Sequence, residues 1–210
     1  MFIKILNDDQ VQYCLKYLSN KKFDRGEKTQ PIDGIKSNKE STDLSNKVRS
    51  LITRKIYDTH YIDSIYCPKY VSVNYYNNYE INDYYNIHVD SFKAIPKENN
   101  VYYDYGFSIN LTDDYEGGEF VLQTEIGNVA RQLKAGEACI FPIIYPHGVN
   151  KITKGSRKNI IGWISSNITY EQAFILRNLY EVNNSLKDSN TDLFIKSTLV
   201  QHYLKKEWSK

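Results

Sequence analysis

Between Tyr70 and Ser166 the apolar residues recur at every second position, in short runs broken by turn signals. Tyr70-Val71-Ser72-Val73-Asn74-Tyr75-Tyr76 alternates first, and strand-like runs follow at 101–112, 118–124, 128–133, 137–142, 147–153 and 157–166. The punctuation is strong: Asn77-Asn78 and Asn82-Asp83 are turn-prone, and Asp113 to Gly118, Ile126-Gly127-Asn128, Lys134-Ala135-Gly136 and Lys154-Gly155-Ser156 separate the later runs. A period of two sends successive side chains to opposite faces of a sheet. Short strands at this spacing build an antiparallel sandwich or barrel and leave no room for βαβ units.

The flanks keep the helical period instead. Asp8 or Asp9 is placed to cap a helix with positions 11, 14, 15 and 18 on one face, and residues 21–42 read as a long polar loop. A second helix is expected from Leu44 to Tyr57, capped by Ser41 or Thr42, with Leu44, Val48, Leu51, Ile52 and Ile56 along it. After residue 168 two amphipathic helices are expected. Glu171–Leu186 presents Ile175, Leu179, Val182 and Leu186, and Thr191–Trp208 presents Leu193, Ile195, Leu199 and Leu204. The expectation is a mainly β fold with helical flanks, divided as a helical region 1–69, a β core 70–168 and a helical extension 169–210. A chain of 210 residues suffices for one substantial core.

Charge and cysteine usage exclude several classes. Lys and Arg number 27 against 25 Asp and Glu, a formal net charge of +2, so no basic field argues for nucleic acid. No apolar run approaches the roughly 20 residues that span a bilayer, which argues against a membrane protein. The apolar part of the N-terminus is too short for a signal peptide and turns acidic at Asp8-Asp9. Cys14, Cys67 and Cys139 are odd in number and far apart, as free thiols of a reducing compartment would be. A cytoplasmic protein is expected. The 19 tyrosines, with much Asn, Lys and Ile, are read as a coding bias.

Chemistry concentrates in Tyr84-Tyr85-Asn86-Ile87-His88-Val89-Asp90. In a strand, His88 and Asp90 share a face and present an imidazole nitrogen beside a carboxylate, two of the three donors of a facial triad that leaves positions open on non-haem iron. The chain has four histidines. His60, in a helix-to-strand connection, and His202, in the last helix, read as packing or surface residues. His147 follows Tyr145-Pro146 at the start of a strand, where a jelly roll could bring it beside the other two. Arg157 opens a strongly apolar strand. At the inner mouth of a barrel its guanidinium needs an anion, and a carboxylate satisfies it bidentately; in a surface Gly-Ser-Arg-Lys turn it needs none.

In order and at spacing, the set resembles the Fe(II)- and 2-oxoglutarate-dependent dioxygenases, in particular the prolyl 4-hydroxylase-like branch and its PKHD-type hydroxylase relatives. The resemblance runs from Tyr79 to Asp90, through Ser108–Phe120 and Gly136–Pro142, to His147–Gly155, Arg157 and Trp163, about half the chain. A weaker likeness to the PKHD-type tail lies in His202-Tyr203-Leu204 and Glu207-Trp208. It implies a double-stranded β-helix (jelly roll), with His88, Asp90 and His147 ligating Fe(II) and no catalytic side chain beyond them. It also implies that Arg157 pairs with the distal carboxylate of 2-oxoglutarate and that Tyr79, with Tyr76 as competitor, hydrogen-bonds the same co-substrate. Where the family often has Gly in the turn before the metal motif, this chain has Asn82, which tolerates left-handed geometry. The implied reaction consumes O2 and 2-oxoglutarate, releases succinate and CO2, and hydroxylates an unactivated C–H of a peptide or protein, foremost a prolyl residue, with ascorbate in support. Other side chains, free amino acids and nucleic acid are the alternative substrates, and a non-catalytic jelly-roll binding module the alternative of another class. The demethylase branch for nucleic acid carries a second arginine where this chain has Trp163. Tyr84, Tyr85, Tyr105 and Trp163 are read as barrel packing before a peptide groove. Residues 21–42 and 91–105 are the candidates for covering the mouth.

Overall fold

The computed structural model describes residues 1–26, 34–91 and 101–209. Phe2–Lys4 is an edge strand, β1, that the apolar N-terminus did not announce. Asn7 rather than Asp8 or Asp9 caps α1 (Asp8–Leu18), in a capping box with Gln10 whose two hydrogen bonds measure 2.9 and 3.0 Å. Both aspartates then sit in the first turn, where the helix dipole favours them. The stretch 21–42 is not all loop. It contains β2 (Asp24–Arg25) and β3 (Lys39–Ser41), while residues 27–33 lie outside the described residues. Because Ser41 is taken up by β3, the next helix, α2 (Asn46–Asp58), starts later than expected and is capped by Ser45. His60 opens α3 (His60–Tyr66), a helix of two turns, too short for its period to show in the sequence.

The strands then follow as β4 (Pro68–Tyr79), β5 (Tyr85–His88), β6 (Tyr105–Asn110), β7 (Glu116–Gly117), β8 (Phe120–Thr124), β9 (Gly127–Arg131), β10 (Glu137–Pro142), β11 (His147–Val149), β12 (Ile152–Lys154) and β13 (Arg157–Ser166). Asn77-Asn78, expected as a turn, is the interior of β4, held between β3 and β13. The chain ends in α4 (Tyr170–Leu186) and α5 (Thr191–Trp208).

Among the described residues all strand pairs are antiparallel. A seven-stranded sheet runs β1-β10-β6-β13-β4-β3-β2, a four-stranded one β5-β11-β8-β9, and β7 pairs with β12. The two larger sheets face one another as a double-stranded β-helix, and α1 to α4 pack on the outer face of the larger. Burial therefore falls into two clusters. Val48, Ile52, Ile56, Ile62 and Ile65 of the helices meet Val71, Val73, Phe107, Ile109, Ile160 and Ile164. Between the sheets lie Tyr79, Tyr115, Phe120, Leu122, Leu133, Cys139, Phe141, Val149 and Ile152. Strand β10 shows the rule, with Ala138 and Ile140 in the first cluster and Cys139 and Phe141 in the second.

Strand β4 breaks that rule opposite Ile161/Gly162 and again opposite Ser165/Ser166, and the first break shapes the cavity. Ile161 pairs with Tyr75 but Gly162 pairs with Val73, so Asn74 is an extra residue in β4. A bulge of one residue exchanges the two faces beyond it. Val71 and Val73 face the helices, whereas Tyr75, Asn77 and Tyr79 turn to the inner cavity and Tyr76 drops into the helical side. Gly162 is required opposite the bulge. A Cβ there would lie 2.0 Å from the Ser72 carbonyl oxygen and 2.5 Å from the Phe107 ring.

The terminal helices differ from their expected faces. On α4, Ala173, Leu176 and Asn183 are buried, while Ile175 and Val182 are exposed. On α5, Leu193, Ile195 and Leu199 are exposed and Gln201 is buried, accepting from Asn183 Nδ2 at 2.6 Å. No helix among the described residues is long and apolar enough to cross a membrane. Cys14, Cys67 and Cys139 are free and buried.

Candidate metal centre and co-substrate cavity

His88 closes β5, Asp90 follows it by two residues, and His147 opens the neighbouring β11, where it is the register partner of His88. Asn82, at φ +75°, makes the left-handed turn that returns the chain from β4 into β5. His88 Nε2 stands 3.6 Å from Asp90 Oδ1 and His147 Nε2 3.7 Å from Asp90 Oδ2. All three donor atoms lie within 4.8 Å of one another, a spacing that could hold a metal ion. His88 Nδ1 donates to the Asn86 carbonyl at 2.9 Å and His147 Nδ1 to the Tyr145 carbonyl at 3.0 Å. A carbonyl oxygen only accepts, so in each neutral ring the proton sits on Nδ1 and the lone pair of Nε2 points to the centre.

The protonation states suit ligands. Burial outweighs the neighbouring Asp90 carboxylate and pushes the His147 imidazole down to about 4, so it is neutral at neutral pH. Burial works to raise the Asp90 carboxyl, but the adjacent His88 and His147 rings and the Trp163 hydrogen bond outweigh it and hold the group below its ordinary value. Trp163 Nε1 donates to Asp90 Oδ2 at 2.9 Å, while Tyr103 stacks on the indole and Tyr75 meets it edge-on. The His88 ring lies flat against Tyr85, centroids 3.7 Å apart, and His147 packs on Phe141 at 4.4 Å.

A cavity of about 530 Å3 runs from this centre inward past Trp163, Phe107 and Asn159 to Tyr79 and Ser108. Behind Tyr79 and Ser108 lies Arg157, 1% exposed. Its Nη2 donates to Ser108 Oγ at 3.3 Å, its guanidinium stands 5.3 Å from the Tyr79 ring centre, and its Nε and Nη1 have no partner. Arg157 is thus a buried residue of a strand, not one of a surface turn. A buried guanidinium with orphaned donors is costly, and a carboxylate brought down the cavity meets its unmet donors. Gly118 is needed beside the arginine, since at φ +64° a Cβ there would come within 2.3 Å of Ile152 and 3.1 Å of the Tyr115 ring. The residues present therefore fit a keto acid held between a metal and an arginine.

Of the expected aromatic residues, Tyr85 and Trp163 line the cavity, whereas Tyr105 is in the helical core and Tyr84 donates to the Gly34 carbonyl outside it. Tyr79 lines the cavity and Tyr76 does not. His60 sits beside Tyr180 and His202 is exposed on α5, and neither belongs to the group at the centre. Lys36, Glu40, Ser91 and Tyr103 of the two expected covering segments line the cavity, while residues 92–100, like 27–33, lie outside the described residues. Ser108, Asn159 and the Lys36–Glu40 pair were not singled out in the sequence. Lys36 and Glu40 sit in a polar stretch without period, where nothing separates two lining residues from a solvated loop.

A jelly roll with a His-Asp-His group at one end of its cavity and a buried arginine at the other is the build of a 2-oxoglutarate- and Fe(II)-dependent oxygenase. Residues 73–165 match the model of the 2OG-Fe(II) oxygenase superfamily. Over its whole length the chain is 31% identical to a PKHD-type hydroxylase of Idiomarina loihiensis, of which it covers 99%. The chain belongs to the PKHD-type hydroxylases of that superfamily. Among solved structures, a prolyl-4-hydroxylase of Pseudomonas putida superposes with a TM-score of 0.58 at 14% identity, over 79% of this chain and 91% of that one. A prolyl hydroxylase of Trichoplax adhaerens, in complex with a hypoxia inducible factor oxygen degradation domain peptide fragment, gives 0.56 at 18% identity, over 85% and 86%. At such identities the likeness is one of fold.

Proposed function

We propose that the protein hydroxylates an unactivated C–H of a residue in a peptide or protein, foremost proline, and releases succinate and CO2. The observation that carries the reading is the pair of orphaned Arg157 donors directly behind Tyr79 and Ser108, which line the same cavity as the His88–Asp90–His147 group. His88, Asp90 and His147 would hold Fe(II). When bound, the iron supplies activation of O2 coupled to oxidative decarboxylation of 2-oxoglutarate. The chain's own residues do the rest. Arg157 takes the distal carboxylate in a charge-assisted pair, and Ser108, already bonded to the guanidinium, holds it in plane. Tyr79 stands over the same guanidinium to bond the co-substrate, its hydroxyl kept protonated by burial. Trp163 fixes the Asp90 carboxylate, and Phe120, Phe141 and Trp163 exclude water from the cavity.

The peptide neighbour from Trichoplax adhaerens supports a protein substrate by the shape of the fold, and ascorbate would sustain turnover by keeping iron reduced. The three buried thiols suit work in the cytoplasm. Mass spectrometry for +16 Da products across a peptide library, with succinate release followed alongside, tests the reading. Iron- and 2-oxoglutarate-dependent hits on proline support it, and hits confined to other residues overturn the prolyl assignment. Binding of 2-oxoglutarate without succinate release under any condition would leave a binding module.

A further inference from the structure

Helix α5 buries one residue fully, Gln201, which is polar and bonded to Asn183 of α4 at 2.6 Å. Its large apolar residues stand in solvent instead: Ile195 is 51% exposed, Leu199 62%, Val200 50% and Tyr203 64%. Ile195, Leu199 and Tyr203 fall at i, i+4 and i+8, so they form one ridge along the helix. Leu199 and Tyr203 lie two residues either side of Gln201, on the face turned away from it. An amphipathic helix turns its apolar stripe toward something that covers it, and here nothing in the same chain does.

We propose that a second copy of this chain covers the ridge, with the two α5 helices packed antiparallel about a two-fold axis at Leu199. Two-fold symmetry makes such an interface self-complementary. Residues equally far before and after the axis come together, so Ile195 meets the second copy's Tyr203, and Leu199 meets itself. On the same rule Asp192 meets the second copy's Lys206. Asp192 lies in the first turn and Lys206 in the last, so the antiparallel pair joins opposite charges and opposed helix dipoles at both ends. An axis one turn further on, at Tyr203, would set Glu207 against Leu199 and lose the match.

Charge and area both favour a like partner. Residues 170–208 carry five acidic and five basic side chains, so two copies meet without net repulsion and no anionic surface is favoured. With Leu193 at the flank, the exposed parts of these residues come to roughly 500 Å2 of mostly apolar surface, and a homodimer interface about two-thirds apolar then takes about 750 Å2 per copy, a standard size.

The test uses the full chain without metal, so it stands or falls apart from the oxygenase reading. Light scattering after size exclusion, at micromolar concentrations, is expected to give twice the mass of one chain. Leu199→Glu is expected to raise the dimer Kd roughly 100-fold with an unchanged far-UV circular dichroism spectrum. Should it fail to fold, Leu199→Gln carries the same measurement. Asp192→Lys should weaken the dimer roughly tenfold, and Asp192→Lys/Lys206→Asp should restore it. The chain's own cysteines are buried, so Leu199→Cys should cross-link under mild oxidation, whereas Ser185→Cys on exposed α4 surface should not. A native chain that stays monomeric overturns the proposal and leaves the ridge to a different partner. A dimer untouched by Leu199→Glu overturns it too, as does a dimer that Leu199→Cys fails to cross-link or that the charge exchange fails to restore.

Discussion

Asp90 accepts one hydrogen bond that reaches beyond the metal group, from the Trp163 indole, and that bond sets which way its carboxylate faces. Trp163→Phe keeps an aromatic ring between Tyr75 and Tyr103 but removes the N–H together with part of the indole's volume. Loss of such an outer partner usually weakens metal affinity 10- to 100-fold, so Fe(II) or Mn(II) titration of the folded variant should show a Kd raised by about that factor. An unchanged Kd would make the indole a packing residue. His88→Ala removes a donor itself and should abolish iron-dependent succinate release; full turnover in that variant would refute the metal assignment. Arg157→Met leaves the co-substrate carboxylate without its partner in a buried site, a loss of about 2 kcal/mol or more, and should raise KM for 2-oxoglutarate roughly 30-fold. At this scale His88, Asp90, His147 and Arg157 could be named from residue type, spacing and family likeness. Trp163 was visible as part of the family likeness, as barrel packing and as the residue standing in place of an arginine, but not as the partner of Asp90, because no pattern in a sequence says which carboxylate an indole will reach.

Strands β4 and β13 are the longest pair in the sheet, and one extra residue in β4, Asn74, lets Val73 face the helices while Tyr75 faces the cavity. Deleting Asn74 would remove the bulge and leave plain alternation, with Val73 outward and Tyr75, Asn77 and Tyr79 still inward. The deletion is expected to keep 2-oxoglutarate binding, which titration would check. Gly162→Ala should destabilise by about 2 to 4 kcal/mol, because its Cβ meets backbone and a packed ring rather than the tip of a mobile side chain, and a urea melt would measure the change. The period of two announced β13 with its observed ends, Arg157–Ser166. It could not announce the bulge, since an extra residue in a run of alternating tyrosines and asparagines leaves no mark on hydropathy. That is why Tyr76 and Tyr79 could not be ranked from the sequence. Short elements were lost for a related reason: α3 has two turns, and β1, β2 and β3 have two or three residues each, less than a period needs to declare itself.

Across the whole molecule, the two-sided burial of the seven-stranded sheet joins stability to the site, and pH should expose the link. His147 sits at about 4 in the fold against an ordinary 6.5, so between those values the unfolded chain binds the extra proton. Stability of the metal-free protein is then fully present above pH 6.5 and declines as pH falls toward 4, by on the order of 3 kcal/mol from this group. Asp90, held below its ordinary value, adds a further loss as pH drops through the carboxylate range. Urea melts from pH 4 to 7 should show this slope in the native sequence and a flatter one in His147→Gln. What the sequence by itself determined was the class of architecture and its chemistry-bearing residues, because a period of two, turn residues and ligand-capable side chains are local properties that survive without neighbours. The meeting of those residues was decided by tertiary structure. Register brought His147 opposite His88, a bulge chose the tyrosine beside Arg157, and a pair from a patternless polar stretch closed the wall of the cavity, all through contacts between segments distant in the chain.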